Sequence, residues 1–328
     1  MLPQRTRWWS SARNPSMHAA TLLPILAGLN ASTAIARAAA MCVDAFASSA
    51  WPDVIWKFSN LTSNGSPLEF TFSTRDDEVR FASEVGPPEM PPSERVAAAV
   101  ALAERLGAPP ISSERLREWH AMQSLGRLRW GAWLGVRAAG DSIRVKLYVE
   151  APRDARASAL AATHRPILAS GRLKMLGYDC DSNASEYYYR QPQMCPDELH
   201  AFTGFVDRNP QRQSMLAAFA ELCAMPKHIA LQWVNFGYSL SDAESHSCVF
   251  ALFVRDRSIG LRPRIRTRFL EWQAATRRTP GAYAGVFATV SNRDLPDHEI
   301  VTFVARNDAP LEVRIGISAT ALARFVPA

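Results

Sequence analysis

Apolar and polar residues alternate with a period of two along several short runs of this chain. In Leu68-Glu-Phe-Thr-Phe-Ser73, Leu68, Phe70 and Phe72 fall on one side while Glu69, Thr71 and Ser73 fall on the other, because successive strand side chains point to opposite faces. Val79, Phe81 and Ser83 likewise oppose Arg80, Ala82 and Glu84, and Val145, Leu147 and Val149 oppose Arg144, Lys146, Tyr148 and Glu150. Each strand thus has one apolar face and one that carries ionic groups. An antiparallel sheet with one covered and one wet face produces this pattern, and so does a barrel with helices outside and a polar lumen inside.

Between these runs the period changes. Strands at about 67–73 and 78–85 are followed by helical patterns at about 92–107 and 112–123, with a start signal in Pro91-Pro92-Ser93-Glu94 and a break at Pro109-Pro110. A second strand pair, 129–136 with 142–150, turns at 138–141 and leads to a helix at about 154–162. The third pair is 172–178 with 185–190, followed by helices from Pro196 and from Gln211 to Cys223. The fourth is 228–238 with 246–255, then a helix at about 264–277. The fifth begins at Tyr283-Ala-Gly-Val-Phe-Ala-Thr-Val290, and the runs 299–305 and 311–318 compete to be its partner. Five hairpins at near-regular spacing point to a repeat architecture in one domain, 51–328, preceded by an N-terminal extension and helix over 1–50. Ten antiparallel strands can close and abolish their edges, each hairpin laying its apolar face under its own helices; an open sheet or two sandwiches would satisfy the periodicity as well.

Composition narrows the classes. The chain has 328 residues, 48% of them hydrophobic and 21% charged, which excludes global disorder. Its formal net charge of +6 is spread along the sequence, so it suits an anionic small molecule as well as nucleic acid. The basic run from Arg262 to Arg268 lacks a recognition helix or an aromatic platform and reads as a solvated helix start, so no nucleic-acid partner is expected. Five cysteines with no C-x-x-C spacing, and histidines without a ligand pattern, point to reduced thiols in the cytoplasm and to no metal. Arg5, Arg7 and Arg13 before an apolar stretch superficially resemble a secretory signal, but the Ala-rich continuation reads as an amphipathic helix, and no run is long enough to span a membrane.

The motifs resemble those of the ABBA-type aromatic prenyltransferases, in particular the branch of the dimethylallyltryptophan synthases. Pro67-Leu-Glu69-Phe70 looks like that family's first-strand motif, Arg80 follows eleven positions later in the paired strand, and Lys146-Leu-Tyr148 looks like its fourth-strand Lys-x-Tyr. On the sixth strand Glu186, Tyr188 and Arg190 share a face, with Glu186 where the family carries a base; the fourth hairpin, Cys248-Val-Phe-Ala-Leu-Phe253, is almost wholly apolar. The resemblance implies an α+β fold, a ten-stranded antiparallel barrel of five ββαα repeats inside a ring of helices. It implies transfer of a prenyl group from an allylic diphosphate to an indole, tryptophan-like or other electron-rich aromatic acceptor, without a metal or other cofactor.

In that scheme Arg80 and Lys146 grip the diphosphate, Tyr148 and Tyr188 add hydroxyls and aromatic faces, and Arg190 and Arg314 extend the basic cluster. Glu69 is the catalytic candidate that hydrogen-bonds the acceptor's indole N–H, and Trp133 is a candidate aromatic wall. The partners are then small molecules. Three plainer readings stand beside these: Glu69 and Arg80 as a cross-strand ion pair, Asp76-Asp77-Glu78 as a solvated turn, and the whole as a non-catalytic barrel that binds a hydrophobic or anionic metabolite.

Overall fold

The computed structural model describes residues 17–29, 31–48, 50, 54–139, 142–153, 168, 170–191, 194–207, 210–223, 236–241, 250–255, 262–276, 283–284, 298–306 and 309–322. The expected helix at 154–162, and parts of the fourth and fifth hairpins, lie outside them. In chain order the elements are α1 (Met17–Gly28), α2 (Thr33–Phe46), β1 (Leu68–Ser73), β2 (Arg80–Glu84), α3 (Arg95–Arg105), α4 (Ser113–Gln123), β3 (Ala132–Ala139) and β4 (Ser142–Glu150). They continue with β5 (Arg172–Asp179), β6 (Ser185–Gln191), α5 (Pro196–Asp207), α6 (Pro210–Cys223), β7 (Phe236–Ser241), β8 (Phe250–Arg255), α7 (Arg262–Thr276), β9 (His298–Arg306), β10 (Ala309–Ser318) and α8 (Ala319–Leu322).

The ten strands form one closed antiparallel barrel, each paired with its sequence neighbours and β10 closing on β1. Leu68, Phe70, Leu134, Leu147, Phe250, Leu252, Phe303 and Ile315 are buried in a single core between the barrel's outer face and the helices. Of the two arrangements the alternation permits, the chain adopts the barrel, and the ionic faces of β1, β2 and β4 turn inward.

Two details differ from the sequence-based expectation. Tyr283–Ala284 is helical, and the fifth hairpin is β9 with β10. A short apolar run does not distinguish a strand from a buried helical turn; here Tyr283 wedges between the barrel and α7, its ring 5.4 Å from Phe72 and 4.7 Å from Phe269. The helices also do not cover only their own hairpins. α3 packs on β3 and β4, α6 packs on β9 and β10, and Phe202 and Phe205 of α5 meet Phe250 of β8. Barrel strands slant across the barrel axis, so a helix leaving one hairpin crosses strands that come later in the chain. The apolar stripe of α2, which includes Ile35, Ala38, Cys42 and Phe46, is buried, and the helix packs on β2, β3 and β4. No helix among the described residues is long and apolar enough to cross a membrane.

One end of β3 and β4 is fixed by a carboxylate. Glu150 accepts the backbone N–H groups of Arg129, Trp130 and Gly131 at 2.7–3.0 Å. Gly131 sits at φ +72°, and a β-carbon there would overlap the Pro92 carbonyl oxygen, whereas Gly107 at φ +90° faces open space. Gly131→Ala is therefore expected to destabilise by roughly 2–4 kcal/mol and Gly107→Ala by only about 1 kcal/mol, the left-handed backbone cost alone. Denaturant unfolding of the two variants checks the order.

Candidate active site

Side chains directly opposite one another in an antiparallel sheet share a face. The register therefore follows the lumen wall from strand to strand. One row runs Glu84, Trp133, Tyr148, Gly177, Glu186. A second runs Glu69, Ala82, Gly135, Lys146, and a third joins Ser73, Arg314, Thr302 and Phe253. Glu69, Arg80, Lys146, Tyr148, Tyr188, Arg314 and Trp133 all stand on this inner face.

Lys146 is ion-paired with Glu186, and its ammonium lies 5.7 Å and 5.5 Å from the ring centroids of Tyr148 and Tyr188. Tyr188 donates its hydroxyl to Glu186 at 2.8 Å, and Ser239 donates to the same carboxylate. Burial works against both charges of the pair, but their mutual attraction outweighs it: the Glu186 carboxyl is held below its ordinary value and the Lys146 ammonium above. Burial, together with the neighbouring carboxylate, pushes the Tyr188 phenol well above its usual range, so it acts as a hydrogen-bond donor. The Tyr148 and Tyr188 rings meet edge to face at 5.8 Å, and Phe253 lies 5.4 Å from Tyr188.

A second cluster gathers where β1, β2, β9 and β10 meet. Arg80 pairs with Asp76, with Glu78 at 3.7 Å and with Glu312 at 3.5 Å, so the cross-strand pair with Glu69 does not form. Arg80 stands opposite Thr71 while Glu69 stands opposite Ala82, a two-residue offset. Asp76 is thus not simply a solvated turn residue. Arg314 donates to both Glu312 oxygens at 2.7 and 3.2 Å, and Arg306 joins the same carboxylate. Burial and the nearby Arg314 push the Arg80 guanidinium below its ordinary value. Glu186 and Tyr188 act electrostatically on Arg314, which ties the two clusters together across the lumen.

Arg190 does not join them. It is exposed near the end of β6, opposite Arg172, and like charges in register both favour solvent. Trp133 donates its indole N–H to Glu84 at 3.0 Å and stacks on Trp130 at 3.7 Å. Burial raises the Glu84 carboxyl despite Arg95, Ser59 and Trp133. Arg306 and Glu312 carry no mark in the sequence as site residues, and the strand glycines carry only a weak one. A β-carbon on Gly177 would lie 2.5 Å from Lys146 Cε, one on Gly135 would lie 2.9 Å from a Tyr148 ring carbon, and one on Gly316 would overlap the Glu69 carboxylate. Each glycine clears space for one site side chain. An isolated glycine inside a strand pattern is the only sequence signal of such a close approach. Among the described residues, no group of three or more His, Cys, Asp or Glu side chains is placed to hold a metal ion.

No protein-family model and no curated protein matches the sequence. Solved structures do match the fold. The 5-dimethylallyltryptophan synthase of Streptomyces coelicolor, in complex with DMASPP and tryptophan, aligns with a TM-score of 0.68 at 15% identity, over 93% of this chain and 94% of that one. The 6-dimethylallyltryptophan synthase of Micromonospora olivasterospora, also with DMASPP and tryptophan, gives 0.66 at 15% identity, over 95% and 98%. PriB with product diphosphate gives 0.65 at 18% identity, over 93% and 96%. The fold is the prenyltransferase barrel. Within this prenyltransferase barrel the expected ten strands, antiparallel closure and enclosing helices are all present.

The ion pair inside the barrel makes a direct prediction. Breaking a mostly buried pair strands the remaining charge, so Lys146→Met and Glu186→Gln alone should each cost roughly 1–3 kcal/mol, reduced from the fully buried case by residual lumen water. The double variant should cost less than the sum of the singles. Equilibrium unfolding of all four proteins measures the coupling.

Proposed function

We propose that the protein is a metal-independent prenyltransferase that moves an allylic group from its diphosphate to an indole, tryptophan-like or other electron-rich aromatic acceptor. The observation that carries this reading is the meeting of cations and aromatic faces inside one closed wall. Lys146 lies beside the rings of Tyr148 and Tyr188, and Arg80 and Arg314 stand on the same inner surface. The solved structures of like fold support it, since two of them are dimethylallyltryptophan synthases in complex with DMASPP and tryptophan.

In the proposed reaction the allylic C–O bond breaks and its electron pair leaves on a diphosphate oxygen. Fixed guanidinium and ammonium groups stabilise that developing charge without solvent reorganisation. The tyrosine rings attract the allylic cation by roughly 0.5–2 kcal/mol each and keep water from it. A ring carbon of the acceptor then forms the new C–C bond and loses its proton. Glu69 is assigned to the acceptor's N–H, which orients the ring and raises its nucleophilicity. Between Glu69 and Lys146 the wall carries only Ala82 and Gly135. That span is three strand steps, about 14 Å, and the Tyr148 ring lies over Gly135 within it. The buried thiols of Cys42 and Cys180 are free, in keeping with work in a reducing cytoplasm.

One observation favours a second reading, a barrel that binds a metabolite without turning it over: Lys146 is already neutralised by Glu186. Calorimetric titration with an unreactive allylic thiolodiphosphate, followed by a mass-shift screen over aromatic acceptors, separates the two. Transfer predicts tight donor binding that falls at least about tenfold in Arg80→Ala and in Lys146→Ala. Glu69→Gln should lower turnover while donor affinity stays within about twofold. Donor binding without any mass shift across the acceptor panel would favour the metabolite-binding barrel, and equal loss of turnover and donor affinity in Glu69→Gln would remove its assigned role.

A further inference from the structure

The carboxylate of Glu312 is held by three arginines from three strands. Arg314 donates Nε to Oε1 at 2.7 Å and Nη2 to Oε2 at 3.2 Å, Arg306 donates Nη1 to Oε2, and Arg80 Nη1 stands 3.5 Å from Oε1. Ser73 adds a hydroxyl to Oε1 at 2.8 Å. The layering is informative. Glu312 is 1% exposed, while Arg80, Arg306 and Arg314 are 14%, 20% and 30% exposed. The carboxylate is therefore the most deeply buried member of the cluster, and each guanidinium keeps some contact with solvent. A carboxylate that merely occupied a vacant anion site would sit on the open side.

The backbone that carries Glu312 is pinned as well. Val313 donates its N–H to Thr74 Oγ1 at 3.0 Å, and Thr74 returns its N–H to the Val313 carbonyl at 2.9 Å. Each guanidinium has five N–H donors in a rigid fork. Glu312 engages two N–H groups of Arg314 and one of Arg306, which leaves most of their donors unspent. Arg80 Nη1 is buried and makes no hydrogen bond to protein, an arrangement that costs free energy unless water or a ligand supplies the acceptor. Arg306 and Arg314 would repel and splay apart without an anion between them, and Arg80 is held besides by Asp76 and Glu78.

We propose that Glu312 is a positioning residue that anchors Arg80, Arg306 and Arg314 as one preorganised diphosphate grip, in which Arg306 is a further phosphate-binding residue. The inference rests on the donor chemistry proposed above and deepens it. The guanidiniums stay in place when the site is empty, so binding does not have to collect them against their mutual repulsion, and the leaving diphosphate meets fixed dipoles. Burial opposes the charge, but Arg314 and Arg306 outweigh it and hold the Glu312 carboxyl far below the usual carboxylate range, so the anchor is ionised at neutral pH.

The test uses the full chain and inorganic pyrophosphate, titrated calorimetrically, beside steady-state kinetics. Glu312→Gln should weaken pyrophosphate by at least about tenfold, and Glu312→Asp should recover part of that loss. Arg306→Gln should weaken it comparably. In the kinetics the donor KM should rise while the acceptor KM stays, a split that a general loss of stability does not give. Unchanged or tighter pyrophosphate binding in Glu312→Gln overturns the proposal, because the carboxylate would then be a bystander or a competitor. Should Glu312→Gln not fold, Arg306→Gln decides: unchanged affinity overturns the grip. Loss of pyrophosphate affinity in these variants, with no prenyl transfer by the wild type to any acceptor, would sink the proposed reaction and leave the anion site standing. Transfer by the wild type with a pyrophosphate affinity that Glu312→Gln does not alter would sink the grip alone.

Discussion

A charged group on the inner wall of a closed barrel must find its counter-charge within a few ångströms, because the wall removes most of the water that would otherwise solvate it. The rest of the lumen follows from that constraint. Lys146 meets Glu186, and Arg80, Arg306 and Arg314 meet Glu312. Neither carboxylate is an accident of a polar surface: each collects hydrogen bonds from two or more strands. The closure that hides the strand edges and the compensation that permits charges inside are two sides of one solution.

Compensation takes space, and the space comes from missing side chains. Gly135, Gly177 and Gly316 sit within strands, where glycine weakens the ladder through backbone entropy. Each stands where a β-carbon would strike Tyr148, Lys146 or Glu69. The cost of an unfavourable residue in a strand is therefore accepted at the positions where the long polar side chains of the lumen have to lie flat against the wall. Local propensity and site geometry conflict there, which is where a functional site is expected to override propensity.

The strands were legible because their signal is periodic; closure into a barrel was implied by the family resemblance, since an open sheet alternates in the same way. Alternation in β1, β2 and β4 set Glu69, Arg80, Lys146 and Tyr148 on one face, and five recurrences supplied the strand number. What escaped the sequence was pairwise and long-range. Alternation assigned Arg80 a face but not a partner; its carboxylates come from the adjacent turn and from Glu312, more than two hundred residues away. Arg190 has the right face and the wrong height, since only register shows that it stands opposite Arg172 near the end of its strand. The run at Tyr283 failed for a different reason: short apolar sequences fit a buried helical turn as well as a strand, and packing against Phe72 and Phe269 decides between them.

The two departures from the expected motif pattern gain a common explanation in the barrel. β8 is apolar on both faces: Phe250, Leu252 and Val254 belong to the outer core, while Ala251 stands between Ser239 and Val304 on the lumen side and the Phe253 ring meets Tyr188. The inner wall is thus divided. Ionic groups collect on β1, β2, β4, β9 and β10, and an apolar stretch lies along β8 and the adjoining part of β9. Glu186 and Tyr188 stand at the border, next to the ring of Phe253 and bound to Lys146. A carboxylate there holds the lysine beside the aromatic rings, as Glu312, Asp76 and Glu78 hold the arginines, so each ionic cluster of the lumen carries its own counter-charge.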